Sequence, residues 1–182
     1  MKNFIRYVLP FKSTFQQIAV SRRELSVLEN LVIRYLSVRD LNELRDRFEG
    51  QAFLDNYLQK AVPLMGLQKY LKTDLVDFET ISPDKIKPEV VINGKIVNVI
   101  QFANHLPLLD TSDNFPCIFI YATQKQTLEL CGFASESIVQ NFITDIKKFG
   151  FGSKETMKGS FYGFDNLKMF ESIDDLVELL KQ

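Results

Sequence analysis

The chain has few of the residues from which crosslinks and metal centres are built. Its 182 residues include two cysteines, Cys117 and Cys131, and a single histidine, His105. Two cysteines cannot form a disulfide framework or supply four thiolates to zinc, and one histidine leaves a zinc site dependent on carboxylates. His105 lies in a predicted loop, where a lone histidine is typical of a solvated side chain. We expect reduced thiols and no cofactor.

An excess of charge and a long apolar run are also absent. The 22 basic residues stand against 23 acidic residues, so no global field attracts nucleic acid or anionic lipid. No run approaches the roughly 18 apolar residues that cross a bilayer, and the first residues lack the apolar core and cleavage site of a signal peptide. The sequence predicts a soluble cytoplasmic protein with no membrane partner.

Residues 1–23 hold five basic side chains and no acid. One interpretation is a first strand or arm with solvated charges. The other is an arm that faces phosphates, with Lys12, Arg22 and Arg23 as candidate nucleic-acid contacts. The sequence leaves both interpretations open.

Helical signals follow this arm. Ser21 and Glu24 have capping-box spacing, and the apolar periodicity over 22–49 predicts one kinked helix or two helices joined near Ser37. A shorter helix over 52–61 is expected to end before Pro63, because proline breaks the helical hydrogen-bond ladder.

Strand signals begin after Lys72. A short strand is expected over 74–80. Asn93-Gly94 joins two runs rich in β-branched residues, 89–92 and 95–100, which predicts a hairpin with a type I′ turn.

A second hairpin is predicted between 116–121 and 127–133, with the two cysteines almost opposite one another. Helices are predicted over 135–149 and from Ser172, which has capping-box spacing to Asp175, to near Leu180. The order of elements indicates an α+β fold, in which a helical N-terminal part (1–72) packs on a mixed β-sheet core (73–182) as one compact unit.

The first hairpin resembles the core of the PD-(D/E)XK nuclease superfamily, which has a restriction-endonuclease-like fold. In phage and bacterial members an acidic residue lies four places before an Asn-Gly turn, and the second strand carries a carboxylate, a spacer and a lysine. These positions fall on Glu89, Asn98 and Ile100. The later order is also similar, with strands up to Phe133, a helix from Ser135, and an aromatic segment before the terminal helix.

The resemblance implies a metal site that has degenerated. In this chemistry two carboxylates hold a divalent cation, which activates water and stabilises phosphate charge. Asn98 lacks the charge and Ile100 lacks the ammonium group. The chain is therefore expected to be a catalytically inactive nuclease-like protein that binds nucleic acid or a partner protein, in a phage, mobile-element or restriction context. Glu89 would bind Mg²⁺ only in an active enzyme.

Two alternatives stay open at this stage. The first is an active metal-dependent nuclease with a rearranged site, whose missing groups come from Glu79, Asp84, Gln101, Glu129 or Lys125. The second is a protein–protein adaptor unrelated to nucleases. The turn predicts that Glu89 faces Asn98, with Ile100 on the same face. Because Ile100 makes this face less polar, we expect the face to bind Mg²⁺ poorly and to be covered by a helix or used as an interface.

Overall fold

Five β-strands form the central sheet of the computed structural model, which describes residues 2–47, 49–111, 115–123, 127–150 and 156–182. The sheet is mixed, because β3 and β5 are parallel and the other neighbours are antiparallel. Its strands in spatial order are β1 (Gln16–Ala19), β6 (Thr127–Ala134), β5 (Cys117–Ala122), β3 (Lys95–Phe102) and β2 (Glu89–Ile92).

A smaller antiparallel sheet, six α-helices and three 3₁₀-helices complete the described elements. The sheet contains β4 (Leu108–Asp110), β8 (Thr156–Phe161) and β7 (Ile143–Phe149) in that order. The α-helices are α1 (Lys2–Tyr7), α2 (Arg22–Tyr35), α3 (Leu41–Asp46), α4 (Gly50–Leu71), α5 (Glu136–Asn141) and α6 (Ile173–Leu179). The predicted α+β class with a mixed sheet is confirmed. No helix in the described ranges is both long and apolar enough to span a membrane.

The two faces of the central sheet bury different apolar clusters. Leu28 of α2 and Leu64 of α4 pack with Val97 and Val99 of β3 on one face. On the other face, Phe119 of β5 stacks on a phenylalanine of β8 at 4.5 Å between ring centroids. The N-terminal helices and the sheet therefore share one core, and β1 adds a strand from the N-terminal part.

Two helices, and not one kinked helix, fill the segment after the N-terminal arm. Ser21 and Glu24 form the predicted capping box at the start of α2. Ser37 takes a positive φ of 52° between the helices, and Asp40 caps α3 by accepting hydrogen bonds from two backbone N–H groups.

The expected helix end before Pro63 is wrong, because α4 continues through this residue to Leu71. An interior proline costs a helix about 3 kcal/mol. However, Ala61, Val62, Pro63 and Leu64 are all buried. Burial of the apolar side chains on both sides of the proline contributes more than the lost hydrogen bond, so the helix does not end there.

The expected strand over 74–80 is also wrong. Asp77 instead closes a turn, in which its Oδ1 accepts hydrogen bonds from the backbone N–H groups of Glu79 and Thr80. An aspartate that bonds the backbone two and three residues ahead competes with extended structure.

The predicted helix over 135–149 is correct only in its first half. Helix α5 ends at Asn141, and the chain then runs as β7, which pairs with β8. The β-branched Ile143 and Thr144 favour this strand, but the pairing partner lies more than ten residues further along the chain.

The second hairpin is confirmed, but its register differs from the expected one. Cys117 faces Ala134, and Cys131 lies where a bulge shifts the register between β5 and β6. The cysteines are therefore not opposite one another. Both are buried thiols.

Candidate functional site

The Asn93-Gly94 turn positions the residues that resemble a nuclease site. Both turn residues have positive φ, at 49° and 77°, as a type I′ turn requires. The strands on either side of the turn, β2 and β3, pair Glu89 with Asn98. This confirms the predicted hairpin and its register.

The three motif positions lie on one face of the sheet. Asn98 is opposite Glu89 on one side and Cys117 of β5 on the other, and Ile100 is opposite Phe119. Alternation along β3 places Ile100 on the same face as Asn98. Glu89 and Asn98 are half-buried, and Ile100 packs against the cluster that contains Phe119. An apolar side chain therefore lies at the position to which the resemblance assigns a lysine.

The carboxylate of Glu89 has a cationic neighbour from its own chain segment. The Nζ of Lys87 lies 3.3 Å from Glu89 Oε1, with 70% of the lysine side chain and 31% of the glutamate side chain exposed. An ion pair this exposed contributes at most about 1 kcal/mol to stability. Its effect on the site is electrostatic, because the ammonium group places a positive charge beside the carboxylate that a cation would need.

A pocket of about 290 Å³ lies along the outer edge of β2. Its charged wall residues are Asp77, Lys85, Lys87 and Glu89. Hydrogen bonds from Thr80 and from the backbone of Glu79 hold the pKa of Asp77 below its ordinary value. Asp77 is not among the site residues predicted from the sequence, although its spacing to Thr80 is typical of an aspartate turn.

The residues proposed for a rearranged metal site do not gather around Glu89. Glu79 and Asp84 are absent from the walls of its pocket, and the Ser82 hydroxyl donates a hydrogen bond to Asp84. Gln101 is an odd number of residues from Asn98, so it lies on the opposite face of β3. Lys125 lies outside the described residues.

Glu129 lies on the same face of the sheet as Glu89 but far from it. Its partner on β5 is Tyr121, which faces Phe102 on β3. Strand spacing and rise put it about 14 Å across the sheet and about 13 Å along it from Glu89. The two carboxylates cannot share a metal ion.

These donors do not fit Mg²⁺. The cation prefers several oxygen ligands that include carboxylates, whereas Glu89 has a neutral amide on one side and an ammonium group on the other. Within the described ranges, no group of three or more His, Cys, Asp or Glu residues is arranged to hold a metal ion.

His105 lies between β3 and β4, apart from this hairpin. Its side chain is exposed, and Nδ1 lies 2.9 Å from the carbonyl oxygen of Leu106. It lines a pocket with Asn3 and Ser160. The loop position agrees with the sequence prediction.

The basic residues of the N-terminal arm are divided between the two faces of the sheet. Lys12 Nζ lies 5.4 Å from the ring centroid of Tyr121, which belongs to the cluster under the small sheet. Arg22 and Arg23 are exposed at the start of α2, which packs on the opposite face. Their role in nucleic-acid binding stays a prediction, and they do not form one continuous patch with Lys12.

A different basic surface lies on the β7–β8 ribbon, in a segment where the sequence predicts a helix instead of strands. Residues 145–150 are all exposed. Lys147 is directly opposite Lys158, and Phe149, 40% exposed, is two residues beyond Lys147 on the same face. Asp110 of β4 is opposite Lys158 on its other side.

Comparison of the chain with protein-family models, curated protein sequences and solved structures finds no match.

Proposed function

We propose that the chain is a catalytically inactive, nuclease-like module that binds nucleic acid. The observation that carries the proposal is the arrangement of Glu89, Asn98 and Ile100 on one face of the hairpin and the adjacent strand pair. The pairing of Glu89 with Asn98 supports the resemblance, whereas an amide stands at the second carboxylate position and an isoleucine at the lysine position. A phage, mobile-element or restriction system is the context that the family resemblance suggests, with the cytoplasm as the location.

The charges around Glu89 support binding without metal-dependent cleavage. A divalent cation at this hairpin would have one carboxylate for its charge, and Lys87 already lies 3.3 Å from that carboxylate. Ile100 supplies no charge for a scissile phosphate or an attacking water. Metal-assisted hydrolysis depends on such charge stabilisation.

The β7–β8 ribbon supports nucleic acid as the partner. The row of Lys147, Lys158 and Asp110 across the small sheet carries a net charge of +1. Like charges directly opposite each other destabilise a strand pair, and a phosphate between the two lysines would offset their repulsion. Exposed Phe149 on the same face offers a ring for stacking or apolar contact with bases.

An electrophoretic mobility shift assay with labelled duplex DNA, single-stranded DNA and RNA tests this proposal. We expect a shift at low salt that weakens about tenfold between roughly 50 and 200 mM salt, the slope of about two phosphate contacts. The double variant Lys147→Gln/Lys158→Gln should lose most of the binding. The matched control Lys60→Gln/Lys181→Gln removes two lysines from the helical side and should bind normally.

The outcomes also separate the competing interpretations. Loss of binding in Arg22→Gln/Arg23→Gln but not in the ribbon variant would move the interface to the N-terminal arm. No shift with any nucleic acid at low salt would contradict the proposal and leave the protein–protein adaptor.

A further inference from the structure

The outer face of the small sheet continues past the two facing lysines of the β7–β8 ribbon into a pocket. Ser160 lies two residues beyond Lys158 on β8 and faces Leu108 of β4, which places it about 7 Å from Lys158 along the strand. Leu108 is 46% exposed, whereas the adjacent Leu109 and Phe161 are buried. The two lysines and the pocket therefore open on the same, solvent-facing side of the sheet.

The pocket combines apolar walls with neutral hydrogen-bonding groups. It has a volume of about 270 Å³ and lies between α1, the loop before β4 and the small sheet. Asn3 supplies an amide, Ser160 a hydroxyl and His105 an imidazole, while Leu106 and Leu108 supply apolar surface. The volume is just below the range of about 300–1,000 Å³ that is common for drug-sized ligands, so the pocket matches a smaller group such as a single base.

The hydrogen bond of His105 determines what its other ring nitrogen can do. Nδ1 lies 2.9 Å from the carbonyl oxygen of Leu106. Because a carbonyl oxygen only accepts, Nδ1 carries the proton, and Nε2 of the neutral ring is an acceptor. The side chains of Asn3 and Ser160 can each donate and accept. The pocket therefore offers donors and acceptors without a carboxylate or an ammonium group, which suits the edge of a nucleobase.

Phe149 lies at the other end of the same face. It is opposite Thr156, four residues before Ser160 on β8, so the ring and the pocket are about 14 Å apart along the sheet. The two facing lysines lie between them, and Asp110 beside these lysines lowers the net charge of the row to +1. An aromatic ring, a basic row and a pocket thus follow one another along the face.

We propose that this face binds a single-stranded nucleic acid, with one base on Phe149, a backbone phosphate at the two facing lysines, and a further base in the pocket. The inference rests on the nucleic-acid binding proposed above and adds the strandedness of the ligand. Unpaired bases can turn their rings and edges towards a sheet, as they do on RNA-binding modules whose sheet stacks about two or three bases. The bases of a duplex are stacked and paired, so they cannot enter the pocket.

Fluorescence anisotropy at low salt tests the proposal with a labelled single-stranded DNA of about 12 nucleotides, the RNA of the same sequence and the corresponding DNA duplex. We expect at least one of the two single strands to bind at least about tenfold more tightly than the duplex, because stacking and pocket contacts need unpaired bases. Comparison of DNA with RNA then identifies the preferred sugar.

Three variants locate the pocket and one is a matched control. Asn3→Ala, His105→Ala and Ser160→Ala should each weaken single-strand binding about threefold to tenfold, the effect of losing one hydrogen bond. They should leave duplex binding and its salt dependence unchanged, because none of them removes a phosphate contact. Asn56→Ala removes an exposed amide from α4, in the other layer of the fold, and should bind normally.

A pair of variants at Phe149 distinguishes stacking from simple apolar contact. Phe149→Leu should weaken single-strand binding at least about fivefold, whereas Phe149→Tyr keeps an aromatic ring and should retain the binding. Thermal melts identify variants that do not fold, and the remaining variants suffice for the test.

The outcomes separate this inference from the proposed function. Duplex binding as tight as single-strand binding would overturn the inference, as would single-strand binding that is unchanged in Phe149→Leu and in all three pocket variants. In both cases nucleic-acid binding that is lost in Lys147→Gln/Lys158→Gln would still stand. Absence of binding to every nucleic acid at low salt would instead contradict the proposed function, and this inference with it.

Discussion

Replacing Gly66 with alanine tests the close packing of α4 on the central sheet. A Cβ atom at this position would lie 2.9 Å from Ile18 Cγ2 and 3.1 Å from Leu128 Cδ1. Both partners are buried, at 3% and 0% exposure. The glycine therefore lets the helix backbone approach β1 and β6 more closely than a residue with a side chain allows.

Two opposing effects decide the sign of the change. Alanine is favoured over glycine in a helix interior by about 1 kcal/mol, whereas overpacking a core costs about 1–3 kcal/mol. Leu128 can rotate away, but the β-branched Ile18 has a stiff χ1 and cannot. We expect repulsion to exceed the propensity gain by about 1 kcal/mol, which lowers the Tm of a chain of this length by about 2–4 °C.

Thermal and urea denaturation of Gly66→Ala and of a double-mutant cycle with Ile18→Leu measure the effect. Leucine carries no branch at Cβ, so Gly66→Ala should be less destabilising in the Ile18→Leu background. Ser26→Ala, at an exposed position of α2, reports the propensity gain without a clash and should stabilise. If Gly66→Ala raised the Tm as Ser26→Ala does, the packing described here would be wrong.

Three further predictions concern local features. Gly94 has a φ of 77° and nothing within 4 Å of an added Cβ. Gly94→Val should therefore destabilise the protein by about 1–2 kcal/mol through backbone strain alone, and Gly94→Asn should destabilise it less. Equal melting temperatures for the two variants would contradict the turn. Burial raises the pKa of Glu24, but hydrogen bonds from Ser21 and Lys69 outweigh it and lower the pKa below the ordinary value. The stability that the Glu24 carboxylate contributes is complete above its ordinary pKa and disappears as pH falls through its lowered pKa. Ser21→Ala should therefore cost roughly 1 kcal/mol of stability at pH 7 and less below about pH 4. A loss that does not change with pH would refute the coupling. Burial raises the pKa of the Cys131 thiol, so mass spectrometry should find Cys117 and Cys131 alkylated only after unfolding, and rapid labelling of the native protein would contradict their burial.

Local chemistry made the first hairpin predictable from the sequence. The Asn93-Gly94 pair selects the turn, and a two-residue turn fixes the register, so Glu89 opposite Asn98 follows by counting. The capping boxes at Ser21 and Ser172 were predictable for the same reason, because each depends on residues within one helical turn.

Distant contacts made the other elements unpredictable. Pro63 lies inside α4 because the helix buries its flanking side chains, which no local rule around a proline anticipates. Strand β7 forms because β8 pairs with it, and Ile143 with Ile146 alone reads equally well as one face of a helix.

The features of the candidate sites also differ in whether nearby or distant residues determine them. The cross-strand pairing of Glu89 with Asn98 follows from the turn. The ion pair of Lys87 with Glu89 could not be predicted, because it depends on the path of the chain before β2. The basic face of the β7–β8 ribbon does not follow from the sequence, because the pattern over residues 135–149 predicts a helix.

The most direct test of the central proposal is a cleavage assay on nucleic acids that the purified chain binds. Supercoiled, linear and single-stranded DNA and RNA are incubated with the protein and Mg²⁺ or Mn²⁺, and samples of each are analysed for binding and for integrity. We predict that the protein shifts its nucleic-acid partner and leaves it intact. Cleavage that requires the metal ion and disappears in Glu89→Ala would contradict a degenerate site and establish an active nuclease.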